Sequence, residues 1–299
     1  MIKMKNLAPS VRSRIVGHNY PCRQWHVCMA DAVNADYLYD NLENGQLVHD
    51  PNVAAEQAQA FEHIIVWPGY YNMTTPIALN ADGMKLMAAL MGPEIGLSYA
   101  TRLWATGDAA IEIQGAKGVE VAGFRIGPEE IGCTGIDIGT TANSYGAYIH
   151  DNTFFHEQAE NMCTHIDLGV ASTYHSDESL IMNNNFIHGG ANSASYAQIM
   201  WNLSIRSKII GNTFMQVGGS TNYQGIKVTA GVEQGQILNN KFLAFESGTI
   251  AAIAVGATTV GHLYIDGNEF IGHTANANCF DYDTNNAGRN YLNGVLIDS

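Results

Sequence analysis

The chain has 299 residues, of which 46% are hydrophobic and 14% are charged, with 31 glycines but only 7 prolines. That length suits one large domain or two ordinary ones. The formal net charge of −14 at pH 7 argues against nucleic acid as a partner, because phosphate binding needs clustered lysine and arginine. The sequence has no transmembrane run, so we expect no membrane insertion.

The N-terminal segment differs in character from the rest of the chain. Residues 1 to about 20 are polar and basic, and residues 25–42 have a helix-like pattern. Asp50 and Pro51 begin a second helical pattern that reaches Phe61, with aspartate as the cap and proline at the first position. The first ten residues lack the apolar core of a secretory signal, so we expect no export by that route.

The five cysteines are scattered and odd in number, which argues against a disulfide framework. Cys22 and Cys28 lie near His18 and His26, a combination that could suggest zinc. No second ligand pair completes a known zinc pattern, so we predict no metal at this place.

One six-residue phrase, Ile-x-x-Asn-x-Phe, recurs five times between Tyr148 and Phe270. Its asparagines are 32, 28, 28 and 28 residues apart. A fixed period in the twenties is typical of a solenoid, in which each repeat buries its apolar face by stacking on its neighbours. The asparagines of the phrase are Asn152, Asn184, Asn212, Asn240 and Asn268, each followed two residues later by phenylalanine.

A second set of apolar-x-apolar triplets keeps nearly the same period, with spacings of 30, 33, 27, 27 and 27 residues. This alternation is typical of a strand with one buried face. One coil therefore holds three strands, and asparagines aligned at a bend can hydrogen-bond along the stack. An antiparallel sandwich, the alternative fold, has no reason to keep one phrase in register. The triplets begin at Ile136, Ile166, Ile199, Ile226, Ile253 and Phe280.

Repeats ending in Gly-Asn-x-Phe or Asn-Asn-x-Phe resemble the right-handed β-helix of the pectate-lyase-like superfamily, which includes polysaccharide lyases, polygalacturonases and phage tailspikes. The segment 64–79, with its Pro-Gly-x-Tyr turn, is similar to the family's opening coil. The resemblance implies an all-β, right-handed, single-stranded parallel β-helix of about eight coils over residues 61–299. Because the end of a solenoid must be covered, we predict that residues 1–60 form an N-terminal arm and a partly helical cap.

The outward middle positions of the triplets place two carboxylates, Asp137 and Asp167, one strand spacing apart. His165 lies two residues before Asp167, so simple alternation predicts that it also points outward. Lys227 lies two coils further on. Paired carboxylates can share a proton or hold Ca²⁺. The resemblance implies sites on this strand in lyases and hydrolases, so we hypothesise catalysis by these four residues, with calcium only if the protein is a lyase and otherwise no cofactor.

A solvating role for these residues is the alternative, because outward aspartate is common on such strands. Met200 separates Asp167 from Lys227, and the Gly-His-Gly sequence of the polygalacturonase pattern is absent. On this interpretation the row serves solubility and carries no activity.

Two rows of apolar residues are expected to point outward over consecutive coils, and soluble monomers seldom expose such a surface. We therefore predict a homo-oligomer, most simply a trimer of parallel rods. The rows consist of Phe155, Ile187, Met215, Leu243 and Ile271, and of Met182, Ile210 and Leu238 on the preceding strand.

These features favour a structural or adhesive virion protein that is assembled in a host cytoplasm with other virion proteins. Such a rod could contact surface glycans through Trp201, Tyr196 and Tyr223. The alternative is a secreted or extracellular polysaccharide lyase or glycoside hydrolase acting along the β-helix face. A bacterial adhesin would need an export signal that the sequence does not show.

Overall fold

Parallel strands stack into three long sheets, and each turn of the chain contributes a strand to each sheet in succession. The fold is the predicted right-handed parallel β-helix. The structure is a computed structural model that describes residues 23–29, 47–89, 101–128, 132–156, 163–170, 173–188, 197–216, 224–229, 231–243, 251–256, 262–273, 279–281 and 289–297.

In the described part of the chain, sheets A and B contain ten strands each, and those of sheet A are short, mostly three or four residues long. They are β1 Gln24–Val27, β2 Leu47–Val48, β3 His63–Val66, β6 Lys85–Ala88, β9 Glu120–Ala122, β13 Tyr148–His150, β17 Leu180–Met182, β21 Lys208–Ile210, β25 Gln236–Leu238 and β28 Tyr264–Asp266.

Sheet B follows sheet A along each coil. Its ten strands are β4 Gly69–Met73, β7 Thr101–Ala105, β10 Arg125–Pro128, β14 Thr153–His156, β18 Asn185–His188, β22 Thr213–Gln216, β26 Lys241–Leu243, β29 Glu269–Ile271, β31 Asn290–Leu292 and β32 Val295–Ile297. The last pair, β31 and β32, is antiparallel, whereas the other pairings of this sheet are parallel.

Sheet C carries the triplets and, among the described residues, has eight strands, in agreement with about eight coils. They are β5 Ile77–Ala78, β8 Ala109–Ile113, β11 Thr134–Ile138, β15 Thr164–Leu168, β19 Ala197–Trp201, β23 Gln224–Val228, β27 Ile253–Val255 and β30 Phe280–Asp281. Between sheets C and A lie two small parallel ribbons, β12 Ser144–Tyr145 with β16 Ser176–Asp177, and β20 Ser204–Ile205 with β24 Val232–Glu233.

The repeats stack in the predicted register. Ile149 pairs with Ile181, and Phe154 pairs with Phe186, in parallel ladders that continue through the later copies. The five phenylalanine rings of the phrase are fully buried and stacked, with centroids 4.7, 4.8, 4.7 and 5.0 Å apart along the rod. Identical residues at one position of each coil therefore form a continuous core.

The asparagines of the repeated phrase form a buried ladder at the corner between sheets A and B. Each Nδ2 donates to the Oδ1 of the next asparagine at 3.0–3.1 Å, from Asn152 to Asn290. The left-handed residue at the corner is the one before each asparagine of the repeated phrase, for example Asn183 with φ 54°. The ladder asparagine thus supplies hydrogen bonds, while its predecessor supplies the backbone bend.

The helix predicted to begin at Asp50 and Pro51 is confirmed in part. Helix α1 spans Pro51–Gln57, its N-cap Asp50 accepts a hydrogen bond from the Asn52 N–H, and proline occupies the first turn as predicted. The helical pattern assigned to residues 25–42 is wrong at β1, which pairs in parallel with β3 and so already belongs to sheet A. Parallel stacking therefore starts before residue 61. Residues 1–22 and 30–46 lie outside the described part of the chain.

Candidate functional site

A row of three carboxylates crosses sheet C on its outer face. Asp137 pairs with Asp167 on one side and with Glu112 on the other, so the three side chains stand on adjacent strands. Ile136 and Ile138, which flank Asp137, are fully buried and hold the strand against the core. The sequence analysis missed Glu112, although Ile111-Glu112-Ile113 has the same apolar-x-apolar pattern as the triplets.

A hydrogen-bonded chain supports Asp167 from the two following coils. Asn202 Nδ2 donates to Asp167 Oδ1 at 2.7 Å, and Thr229 Oγ1 donates to Asn202 Oδ1 at 2.6 Å. Asn202 also donates to the carbonyl oxygen of Gly169 at 3.0 Å, which fixes its amide. Asp137 has no such chain behind it: its Oδ1 is buried and accepts no hydrogen bond from the residues that the structure describes, although a hydrogen bond with the Thr134 side chain partly opposes the rise of its pKa. The two aspartates therefore have different surroundings.

Both aspartates hold protons more tightly than an ordinary carboxyl group. Burial, followed by the charges of Asp167 and Glu112, raises the pKa of Asp137 to about 7. Burial raises the pKa of Asp167 to about 7 as well, against the opposing effect of the Asn202 hydrogen bond. Burial and Asp108 raise the pKa of Glu112. Near neutral pH the row can hold and release protons, which is the property required of an acid–base pair.

Replacing Asp137 with asparagine should stabilise the protein at pH 8 by about 2 kcal/mol and leave its stability at pH 4 nearly unchanged. Because the folded-state pKa lies above the unfolded value near 3.8, the wild-type loses stability as the pH rises from about 4 to about 7. The amide stays neutral throughout. Urea unfolding at pH 4, 6 and 8 measures the difference.

The control for this substitution is Glu233→Gln, which removes an exposed carboxylate from β24. Its effect should stay within about 0.5 kcal/mol at all three pH values. An Asp137→Asn protein that is equally stabilised or destabilised at pH 4 and pH 8 would contradict the account of the carboxylate row.

The outward orientation expected for His165 is wrong. Its side chain is fully buried, with its ring 5.8 Å from that of Phe154 and 6.0 Å from that of Phe186. The start of β15 departs from simple alternation, because Thr164, His165 and Ile166 are buried in succession. The start of β23 has the same burial pattern, and there the N–H groups of Gly225 and Ile226 both donate to the Ala252 carbonyl, as at a β-bulge. His165 therefore faces the core, where burial lowers its pKa, and it does not join the two aspartates.

Lys227 lies on the predicted outward row, two strands from Asp167 with Met200 between them. At roughly 4.8 Å per strand, the backbones of Lys227 and Asp167 are about 10 Å apart. The structure thus brings Asp137 and Asp167 together with Glu112 and leaves Lys227 at the edge of this group.

The expected glycan contact of Trp201 is wrong, because its indole is fully buried and faces the core. Trp201 is the third residue of a triplet, so its inward orientation follows from the same alternation that buries Ile199. Tyr196 and Tyr223 lie outside the described residues.

The two outward apolar rows are half-buried and aligned. On sheet B, Ile187 pairs with Phe155 and with Met215, and the row continues in register to Leu243 and Ile271. On sheet A, Ile210 pairs with Met182 and Leu238. The rows flank the asparagine corner and lie on two faces of the rod, so they do not form one flat stripe.

Calcium fits this site poorly. Among the described residues, no three His, Cys, Asp or Glu side chains converge so that they could hold a metal ion. A row with one carboxylate per strand spreads its oxygens along the rod, whereas Ca²⁺ takes six to eight oxygens around one point. No described helix is long and apolar enough to cross a membrane.

Comparisons with known proteins agree with the fold. No protein-family model matches the chain, and no curated protein matches it. The crystal structure of an alginate lyase from Paenibacillus sp. str. FPU-7 is similar with a TM-score of 0.51 at 14% identity, covering 77% of this chain and 76% of that chain. This likeness shows the fold alone.

Two further solved structures are similar at lower scores. A pectin methylesterase in complex with a hexasaccharide has a TM-score of 0.42 at 8% identity, with 88% of this chain and 94% of that chain covered. A protein of Geobacillus virus E2, ORF18, has a TM-score of 0.37 at 11% identity, with 82% of this chain and 57% of that chain covered.

Proposed function

We propose that this protein is a structural or adhesive rod of a virion, built from three parallel copies of the chain and bound to other virion proteins. The observation that carries the proposal is the pair of half-buried apolar rows on the outer face, which run in register through successive coils on both sides of one corner. Such rows are unusual on a soluble monomer.

The geometry of the rows favours copies of the same chain as the partner. The rows are parallel to the rod axis, so a second rod lying alongside can cover them over their whole length. A shorter partner would leave most of the row uncovered.

A threefold arrangement covers both rows with one kind of contact. If the asparagine corner points toward a threefold axis, sheet A faces one neighbour and sheet B faces the other. This interface is heterologous, because different surfaces meet, and it closes after three copies. Polar residues at the corner, such as Asn183 and Asn239, then lie nearest the axis.

The mass of the native protein tests this proposal. Three copies of a 32.4 kDa chain give about 97 kDa by sedimentation equilibrium at micromolar concentration. Ile210→Asp and Met215→Asp, one on each row, should each yield the single-chain mass, since a buried, unpaired charge is costly at an interface.

The matched control is Ile205→Asp, which changes another half-buried isoleucine on the separate ribbon strand β20. This variant should keep the wild-type mass. A wild-type protein that sediments at 32.4 kDa, or row variants that keep the wild-type mass, would contradict the trimer.

A polysaccharide-cleaving enzyme is the second candidate, and the raised pKa values of Asp137 and Asp167 favour it. In a hydrolysis, two carboxylates one strand spacing apart fit a double displacement: the protonated aspartate would donate its proton to the glycosidic oxygen while the ionised one attacks the anomeric carbon. The first aspartate would then take a proton from a water molecule that displaces the second from the sugar. Release of reducing ends from acidic and neutral polysaccharides tests this candidate. Activity should vanish in Asp137→Asn and Asp167→Asn and persist in Glu233→Gln.

A further inference from the structure

Three buried imidazoles meet at the corner between sheets B and C, on two neighbouring coils. They belong to His156, His165 and His188, which we call the histidine corner. We propose that the histidine corner is an acid-sensitive switch, closed at neutral pH and opened locally by protonation in mild acid. The inference goes beyond the rod proposed above, because a stack of coils does not require histidine at this place.

Strand register brings the three rings together. His156 and His188 end the adjacent strands β14 and β18, where they pair and stack with ring centroids 5.5 Å apart. His165, near the start of β15, has its ring 5.8 Å from that of Phe154 and 6.0 Å from that of Phe186. Burial lowers the pKa of His165, and the nearby rings of His188 and His156 lower it further. A charge on one imidazole therefore disfavours a charge on the next.

Burial without hydrogen bonds distinguishes two of these rings. Both ring nitrogens of His156 and of His165 are buried and have no hydrogen-bond partner among the described residues. All three histidines are 1% exposed or less. An unpaired buried polar group is destabilising, and opening of the corner would give each nitrogen a water partner. The closed corner is therefore favourable only while its rings stay neutral.

The described strands around the corner bring no carboxylate to its inner side. Asp137 and Asp167 lie on the outer face of sheet C, Arg125 lies on the outer face of sheet B, and β18, β19 and β22 carry no other ionisable side chain. Cys133 and Cys163 precede β11 and β15, and burial raises the pKa of the Cys163 thiol to about 12. The connecting residues 129–131 and 157–162 include four glutamates and lie outside the described part of the chain. A counter-charge from them would keep the corner closed in acid, an outcome that the experiment below detects.

Protonation favours the open form of the corner. An imidazole in water has a pKa of about 6.5, whereas burial lowers the pKa of His156 and of His165 in the closed form. The open form thus binds more protons, so the closed form loses stability as the pH falls below about 6.5. Between pH 7.5 and pH 5, each imidazole that is neutral when closed and exposed when open raises the opening equilibrium about thirtyfold.

The next coil shows which residue can replace histidine. Gln216 pairs with His188 and continues its row on sheet B, and Gln198 follows His165 at the matching position of β19. Both glutamines are buried, so the corner accepts an uncharged amide at these positions. Because glutamine binds no proton in this pH range, it provides a substitution that removes the acid response and keeps the packing.

Hydrogen exchange of the full-length protein at pH 7.5 and pH 5, read by mass spectrometry, tests the switch. Protection factors are corrected for the intrinsic exchange rate at each pH, so they report opening alone. We expect the protection of the β14 and β18 amides to fall by about thirtyfold or more in acid. Protection of β26, two coils beyond β18, should change less than about threefold, because Phe242 there packs between two phenylalanines.

Glutamine variants assign the effect to the imidazoles. The triple variant His156→Gln, His165→Gln, His188→Gln should keep its protection in acid to within about threefold. His165→Gln alone, which disturbs the core least, should reduce the acid-induced loss by about tenfold or more. The control His262→Asn replaces an exposed histidine at φ 56°, a conformation that asparagine adopts readily, and should keep the full loss.

Three results would overturn the proposal. They are unchanged protection of β14 and β18 in the wild-type protein, an equal loss in the triple and single glutamine variants and the wild-type protein, and an equal loss at β26, which would indicate global unfolding. The protonation of Asp137 and Asp167 in the same pH range acts on wild-type and variant proteins alike, so it cancels in the comparison. The native mass at pH 7.5 is measured separately, and the switch stands or falls whatever that mass is.

Discussion

Replacing Asn184 with alanine is expected to lower the free energy of unfolding by about 4 kcal/mol. The Asn184 amide donates to the carbonyl oxygens of Ile149 and Met182 and to Asn212, and its Oδ1 accepts from Asn152. Alanine leaves several of these buried groups unpaired, and each unpaired group costs about 1–3 kcal/mol. Urea unfolding followed by circular dichroism measures the loss.

The neighbouring residue provides a matched control. Asn185 is the same residue type, one position further along the chain, but its side chain is exposed on the outer face of β18. Asn185→Ala should change the free energy of unfolding by about 0.5 kcal/mol or less. Similar losses in the two variants would mean that the ladder does not contribute as described.

The Phe154→Ala substitution should cost about 3–5 kcal/mol, the usual range for truncating a buried phenylalanine. The Phe154 ring is fully buried and stacks 4.7 Å from that of Phe186. Its removal opens a buried cavity at the N-terminal end of the phenylalanine stack, which the neighbouring coils cannot close because their backbones are fixed by the ladders. Thermal unfolding and urea unfolding both report this loss.

Phe155→Ala is the control for this substitution, and the pair of variants distinguishes an inward, buried ring from an outward, half-buried one. Phe155 is half-buried on the outer face and packs against the Arg125 guanidinium, a contact worth about 1 kcal/mol. If the rods associate through the sheet B row, the effect of Phe155→Ala on the melting temperature should depend on protein concentration, and that of Phe154→Ala should not. Equal losses from the two variants would contradict the assignment of inward and outward faces.

The sequence was sufficient to predict the coil because each coil repeats the same inward residues. Isoleucine, asparagine and phenylalanine recur at one spacing, and the stacking of like residues fixes the register. The ladder member Asn290 was missed because it follows Asn268 by only 22 residues, so the constant period did not reveal it.

The candidate site was predicted less well, because the directions of its side chains depend on local irregularities of the backbone. Asp137 and Asp167 lie in the regular part of the strand, where alternation holds, and they were correctly placed on one face. His165 precedes that regular part, and the bulge turns it inward. The bond from Asn202 to Asp167 depends on the turn that follows β19, a feature that spacing alone does not specify.

Distances between spin labels along one outward row test the stack of coils most directly. Thr153, Lys241 and Glu269 occupy the same row of sheet B, three and four strands apart. Pulsed electron paramagnetic resonance on doubly labelled chains should give Thr153–Lys241 and Thr153–Glu269 backbone separations of about 14 and 19 Å. Separations that do not lengthen by about one strand spacing from the first pair to the second would contradict the parallel coil and every surface derived from it.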